Sequence, residues 1–262
     1  MCLIVVAWRA SAGLPLVVAA NRDEWRERPA EPAHWWPDHP GLLAGRDLQA
    51  GGTWMGITRG GRFAAVTNYR DPSEKRSTAR SRGGLVTGFL LGSESPARFL
   101  SGLSARAREY NGFNLILGDG ASLFYYGSRE GQPRAIEPGV HALSNHLLDE
   151  PWPKVVRGRE RMEASLACLD PAPQLFDLLS DSTPVADDAL PATGVSIEWE
   201  RRLASALITG ADYGTRASTV LTVASTGDVF MEERTRDAAG GAREVASERF
   251  SFRRGVLLHA DG

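Results

Sequence analysis

A cysteine stands directly after the first methionine of this 262-residue chain. Initiator methionine is generally removed when the next residue is small, and loss of Met1 would leave Cys2 with a thiol and a free α-amine on one residue. A free thiol titrates near ~8.5 and an α-amine near ~8, so the amine can take the thiol's proton at neutral pH without a separate histidine. A cysteine at this position serves equally as a small buried side chain, a common role for an unpaired thiol.

Residues that would serve such a nucleophile recur at the ends of apolar runs. The runs Leu3 to Trp8 and Leu16 to Ala20 flank Ser11-Ala12-Gly13, which reads as a hairpin. A turn near Ala12 makes cross-strand partners sum to 23 or 24, which sets Cys2 opposite Asn21 or Arg22 and Asp23 about one residue beyond. A carboxylate there would hold or orient the α-amine, although aspartate also favours turns in its own right. Asn68 and Asn145 each end a short strand and supply the side-chain amides that an oxyanion needs. Arg216 opens a later strand, where a guanidinium would lower a thiol pKa and bind a carboxylate. Each of these residues also has a plain alternative as a cap or a salt-bridge partner.

The elements that must position these groups are mostly hairpins. The two opening runs are continuous rather than alternating, which predicts a sheet covered on both faces. Asn21 to Pro40, with Trp25, Trp35 and Trp36 among prolines, reads as an irregular excursion. Gly51 to Thr58 and Arg62 to Asn68 form a second hairpin, Asn114 to Gly118 and Ser122 to Tyr126 a third, and Ala217 to Ala224 and Val229 to Thr235 a late one. His141 to Asn145 is a strand end, and Phe250 and Phe252 lie in a terminal strand. Helices are expected over Gly84 to Gly92, Ser95 to Arg108, Pro153 to Leu169, Gln174 to Leu179 and Glu198 to Leu207, the second with Pro96 in its first turn. The opening strands need partners from the far end of the chain, so residues 1–262 read as one domain of mixed helix and sheet.

Bulk composition narrows the function classes. With 42% hydrophobic and 24% charged residues the chain is globular rather than disordered. A formal net charge of −2 gives no reason to expect a nucleic-acid partner. The basic stretch Arg70 to Arg82 is read first as a solvated loop, with an anionic ligand as the alternative. Cys2 and Cys168 form no CxxC pair, there is no HExxH, and His34 and His39 lack a helical ligand spacing, so no metal site is expected. GxxxxGK[ST] and GxGxxG are absent. Leu3 to Ala7 is too short for a signal core, and no run approaches ~20 apolar residues. The expectation is a cytoplasmic chain with reduced thiols and no stable membrane insertion.

Eight blocks carry a resemblance. Met1-Cys2, Asn21-Arg22-Asp23-Glu24, Gly51 to Gly56, Thr67-Asn68-Tyr69, Ser81-Arg82-Gly83, Leu143-Ser144-Asn145, Asp149 to Val155 and Tyr213 to Thr219 together resemble the NRDE family, also called the transport-and-Golgi-organisation-2 family. That family is in turn similar to the N-terminal-nucleophile hydrolases of the penicillin V acylase and bile salt hydrolase branch. The resemblance implies an α+β fold, a four-layer α-β-β-α sandwich of antiparallel sheets, and acyl-transfer chemistry. It assigns Cys2 as nucleophile with its own α-amine as base, Asp23 as orienting acid, Asn68 and Asn145 as oxyanion donors and Arg216 beside the thiol. Arg22, Trp54, Tyr69 and Arg82 would contact substrate. The acylases carry an arginine where this chain has Ala20, and Arg22 is read as lying on the opposite strand face.

Two functions follow. One is a cysteine-dependent hydrolase or acyltransferase acting on a small-molecule acyl amide or thioester, with no cofactor. The other is a non-catalytic carrier of haem or of acyl-CoA or lipid, suggested by the tryptophan-rich excursion and by His34 and His39. A pure interaction module fits poorly, because polar strand ends converging on one thiol are an odd way to build one.

Overall fold

The computed structural model describes residues 2–74, 76–237 and 242–255. Two antiparallel sheets face each other, and a helical layer covers the outside of each. The first sheet contains β1 (Cys2–Trp8), β2 (Leu16–Trp25), β10 (Gly139–Leu143), β11 (Tyr213–Val223), β12 (Asp228–Arg236) and β13 (Glu244–Arg253), in the order β10-β1-β2-β11-β12-β13. Both ends of the sequence therefore share one sheet. The second is a meander of β3 (Ala30–Trp36), β4 (His39–Asp47), β5 (Met55–Thr58), β6 (Phe63–Asn68), β7 (Phe113–Gly118), β8 (Leu123–Gly127) and β9 (Pro133–Ala135). The helices are α1 (Gly83–Leu91), α2 (Pro96–Ser104), α3 (Pro153–Ser165), α4 (Ala172–Leu179) and α5 (Ile197–Leu203).

Strand alternation explains the layers. Ile4, Val6, Val18, Ala20, Leu221 and Met231 point between the sheets, where they meet Ile57, Phe63, Ala65 and Ile116. Leu3, Val5, Ala7, Val17, Ala19 and Val220 point outward against Val155, Met162 and Leu175 of α3 and α4. Ala64, Val66, Leu115 and Leu117 pack in the same manner against Leu85, Phe89, Leu100 and Leu103 of α1 and α2. The order is therefore α-β-β-α, and the continuous apolar runs of β1 and β2 reflect burial on both faces, as the sequence predicts.

Two readings are corrected and one strand is added. Residues 21–40 are strand for most of their length: β2 runs on through the Asn-Arg-Asp-Glu block to Trp25, and β3 pairs with β4 across register shifts after Glu31 and Trp35. Those irregularities break the period-2 pattern that would have marked a strand. The short β9 is paired with β8 and has no apolar run to announce it. Arg22 and Ala20 share a strand face, since Ala20 packs between the sheets and Arg22 lines the opening at the end of the same layer. Among the described residues no helix is long and apolar enough to cross a membrane.

Candidate active site

At the Cys2 end of β1 the two sheets part, and a cavity of about 620 Å³ opens between them. Cys2 pairs with Arg22 across β1 and β2, so the thiol and the guanidinium stand side by side on the inter-sheet face. Cys2 is 8% exposed, and Asp23 follows at 2%. The backbone N–H of Asp23 donates toward the sulfur. Burial pushes the Cys2 thiol above its ordinary pKa and the Asp23 carboxylate adds to this, while Arg22 pulls it back.

Asp23 is held by β11. Thr215 Oγ1 donates to Asp23 Oδ1 at 2.7 Å, and the N–H of Ile208 donates to Thr215 Oγ1 at 2.9 Å. The Tyr213 hydroxyl donates to the Asp23 carbonyl at 3.2 Å. Burial raises the Asp23 pKa, and the charge of Lys154, the Thr215 hydrogen bond and Arg70 draw it down. Asn21, its neighbour in the block, is structural. Its amide donates to the carbonyls of Leu179 and Ala206, both at 2.8 Å, and its oxygen accepts from Ser218 Oγ at 2.7 Å. The tetrad is thus divided by strand alternation, with Arg22 and Glu24 toward the cavity and Asn21 tying the helical layer to the sheet.

A register shift between Thr215 and Ala217 leaves Arg216 as the extra residue of a β-bulge. Its guanidinium reaches the cavity wall, donating to the carbonyls of Trp25 and Arg28. Burial lowers the Arg216 pKa, and Arg22 and Arg26 lower it further. Arg82, at the start of α1, also lines the cavity and donates to the Gly112 carbonyl at 3.1 Å. The helix can come this close because Gly52 and Gly83 meet backbone to backbone: a Cβ on Gly52 would lie 2.7 Å from the carbonyl carbon of Gly83.

Asn68, at the end of β6, lines the cavity. Asn145 lies one layer behind it, fully buried and outside the cavity wall. Its Nδ2 donates to the Asn68 carbonyl at 2.9 Å, and its own carbonyl accepts from the Arg70 N–H at 2.7 Å. This clip staples one sheet to the other beside the thiol. The adjacent Ser144 hydroxyl donates to the Cys2 carbonyl at 3.2 Å.

The site residues expected from sequence are therefore largely gathered. Cys2, Asp23, Asn68, Arg216, Arg22, Trp54 and Arg82 share the cavity. Tyr69 does not line it, and its ring lies 5.0 Å from that of His146. His34, which contacts Glu31 and the Pro32 carbonyl, and His39, which lies against Trp36, are also outside the wall. The three tryptophans of residues 21–40 go to separate places. Trp25 packs on Trp199 and Tyr213, Trp35 on Phe252, and Trp36 in the core between α1 and its sheet.

Other groups at the site carry no signal of their own in sequence. Eight arginines and five carboxylates line the cavity, and three of those arginines, Arg76, Arg80 and Arg82, come from the basic stretch read as a solvated loop. Arg70 of that stretch is instead buried, bonded to Glu200 at 2.7 Å. Lys154 and Thr215 lie within recognisable blocks, yet only the packing shows that they act on Asp23.

Comparison with known proteins agrees on ancestry. Residues 1–238 match the sequence model of Transport and Golgi organisation 2. The Bos taurus Transport and Golgi organization protein 2 homolog is 39% identical over 245 residues, covering 84% of this chain and 86% of its own. The Mus musculus Transport and Golgi organization 2 homolog is 34% identical over 238 residues, with the same coverage. Among solved structures, the C2A mutant of conjugated bile acid hydrolase from Clostridium perfringens aligns over 100% of both chains at a TM-score of 0.47 and 8% identity. The Caenorhabditis elegans ortholog of N-acylethanolamine-hydrolyzing acid amidase covers 84% of this chain and 92% of its own, at 0.41 and 12%. At those scores neither structure carries any chemistry over to this one. The family match over residues 1–238, which includes the Cys2 and Asn-Arg-Asp-Glu blocks, and the relatives at 34–39% identity place this chain in the Transport and Golgi organisation 2 family.

Proposed function

We propose that this protein is an N-terminal-nucleophile cysteine hydrolase or acyltransferase whose substrate is an acyl amide or thioester with an anionic group. The observation that carries this reading is the convergence of Cys2, Asp23, Asn68 and Arg216 on one cavity. With Met1 removed, the α-amine of Cys2 takes the thiol proton and Asp23 holds the resulting ammonium. The thiolate then attacks the acyl carbon, the carbonyl π electrons move to oxygen, and the side-chain amide of Asn68, whose carbonyl Asn145 holds from behind, receives the oxyanion. The amine or thiolate leaving group departs with the proton from the α-ammonium, and water or an acceptor nucleophile releases the acyl group. Arg22, Arg82 and Arg216 favour a carboxylate or phosphate on the substrate.

The test is hydrolysis of a panel of acyl amides and acyl thioesters by the wild-type protein and by Cys2→Ala. Turnover that vanishes in Cys2→Ala supports the reading, and turnover unchanged in that variant overturns it.

A carrier function for the same cavity is the second reading, with haem or an acyl lipid as cargo. It is favoured by the burial that pushes the Cys2 thiol above its ordinary pKa and so weakens it as a nucleophile at neutral pH. Because neither His34 nor His39 lines the cavity, haem ligation there would fall to Cys2. A Soret shift on titration with haem that disappears in Cys2→Ser supports that reading, and no shift at micromolar haem removes it.

A further inference from the structure

Strand register fixes what lies beside the thiol. On the inter-sheet face of the first sheet, residues opposite one another on successive strands form transverse rows. The deep row Val6-Val18-Leu221-Met231 is wholly apolar and belongs to the core. The next, Ile4-Ala20-Thr219-Glu233, ends on a hydroxyl and a carboxylate. The outermost, Cys2-Arg22-Ala217-Thr235, carries the thiol and lines the cavity. On its other side β1 borders β10, whose continuation through Ser144 and Asn145 is buried and bonded to the Cys2 carbonyl. Along this sheet the cavity therefore leaves the thiol in one direction, over Arg22, Ala217 and Thr235.

That path suits a short polar group better than a hydrocarbon. Glu233, in the row beneath, is 4% exposed and accepts from the Ala33 N–H at 2.7 Å and from Thr219 Oγ1 at 3.1 Å. A methylene chain laid over it would strip water from a carboxylate and supply no hydrogen bond in exchange. Apart from Cys2, only Pro32, Trp54 and Val66 among the cavity's apolar side chains are larger than alanine, enough to cover a few methylenes. Guanidiniums flank the same path. Arg28 is engaged by Asp47 at 2.7 Å, whereas Arg22 stands 3.9 Å from Asp47 and 4.0 Å from Glu24, beyond hydrogen-bond length. Arg216 is bonded to the carbonyls of Trp25 and Arg28, which orient it without cancelling its charge. Both can give a ligand carboxylate a charge-assisted hydrogen bond.

We propose that the acyl group transferred to Cys2 is a short dicarboxylic one, of the succinyl or glutaryl kind, whose far carboxylate meets Arg22 and Arg216, and that a fatty acyl chain is not the substrate. This rests on the acyl-transfer reading and names its acyl group. The sulfur–carbon bond to Cys2 forms, the carbon–nitrogen or carbon–sulfur bond of the donor breaks, the leaving group takes the proton, and the far carboxylate stays unchanged.

The experiment is kcat/KM of the full chain for aminomethylcoumarin amides that differ in the acyl group alone: glutaryl, its neutral isostere ending in an isopropyl group, and decanoyl. Glutaryl should exceed the isostere by at least about tenfold, as one hydrogen bond to a charged group supplies. Decanoyl should be no faster than the isostere. Equal rates for glutaryl and the isostere, or a faster decanoyl, overturn the inference and leave acyl transfer standing. In Arg22→Gln/Arg216→Gln the ratio of glutaryl to isostere should fall to about one. Any effect on the thiol itself is common to both substrates, so an unchanged ratio overturns the inference. If the double variant fails to fold, Arg22→Gln alone should lower the ratio, on the same terms. If the amides are not hydrolysed, their binding to Cys2→Ala decides instead. Glutaryl amide bound at least about tenfold tighter than its isostere retains this ligand class, whether or not acyl transfer survives its own test, and any other result removes it.

Discussion

Cys2 draws its character from neighbours that pull in different directions. Burial and Asp23 push the thiol's pKa up, and Arg22 pulls it down. Asp23 needs a fixed donor, which is Thr215. Thr215→Val removes the 2.7 Å hydrogen bond to a buried carboxylate and leaves the Ile208 N–H without its acceptor. Urea denaturation should show a loss of about 1.5–3 kcal/mol, with Thr215→Ser close to wild type. Lys154 gives a pH signature. Its pKa falls from 10.5 to about 8 on folding, so between those values the unfolded chain binds more protons and stability rises with pH. The difference in unfolding free energy between wild type and Lys154→Met should therefore grow by up to about 3 kcal/mol from pH 8 to 10.5. A flat difference would mean that Lys154 titrates as it does in the unfolded chain. The pairing of Cys2 with Arg22 was legible from one turn and a sum of residue numbers, because a hairpin allows few registers. Lys154 was not legible, since lysine in a basic-and-apolar helix reads as a surface residue and only packing shows it buried.

Elements deliver these groups through local departures from regularity. The bulge in β11 turns Arg216 toward the cavity, and the Gly52–Gly83 contact lets the start of α1 form part of its wall. Gly52→Ala would drive a Cβ into backbone at 2.7 Å, and thermal or urea unfolding should show a loss of about 1–3 kcal/mol. Gly84→Ala meets nothing within 4 Å and should be neutral or gain about 0.5–1 kcal/mol, because alanine suits a helix better than glycine. Hairpins marked by glycine turns were readable, β7 with β8 to within a residue and β5 with β6 except that β5 starts four residues later than read. The paired strands β3 and β4 were not, because prolines, tryptophans and register shifts hide the alternation that a strand normally displays. The bulge at Arg216 was equally hidden, since an extra residue in one strand appears only against its partner.

At the scale of the molecule, two sheets packed over an apolar interior separate at one end, where an arginine-rich cavity surrounds a single thiol. The net charge of −2 gives no hint of this, because the positive charge is local. The proposed reading predicts that hydrolysis of a carboxylate-bearing acyl amide falls as salt rises from 50 to 500 mM, while a neutral analogue changes little. Equal salt responses would remove the arginines from recognition. Asn68→Ala should lower kcat by ~10²–10³ if its amide serves the oxyanion, read in the same assay. The most direct measurement is intact mass after a brief incubation with an acyl thioester. An N-terminal nucleophile predicts a chain lacking Met1 that gains the acyl mass on Cys2, with no gain in Cys2→Ala. A chain that keeps Met1 and turns over substrate without Cys2 acylation would contradict it.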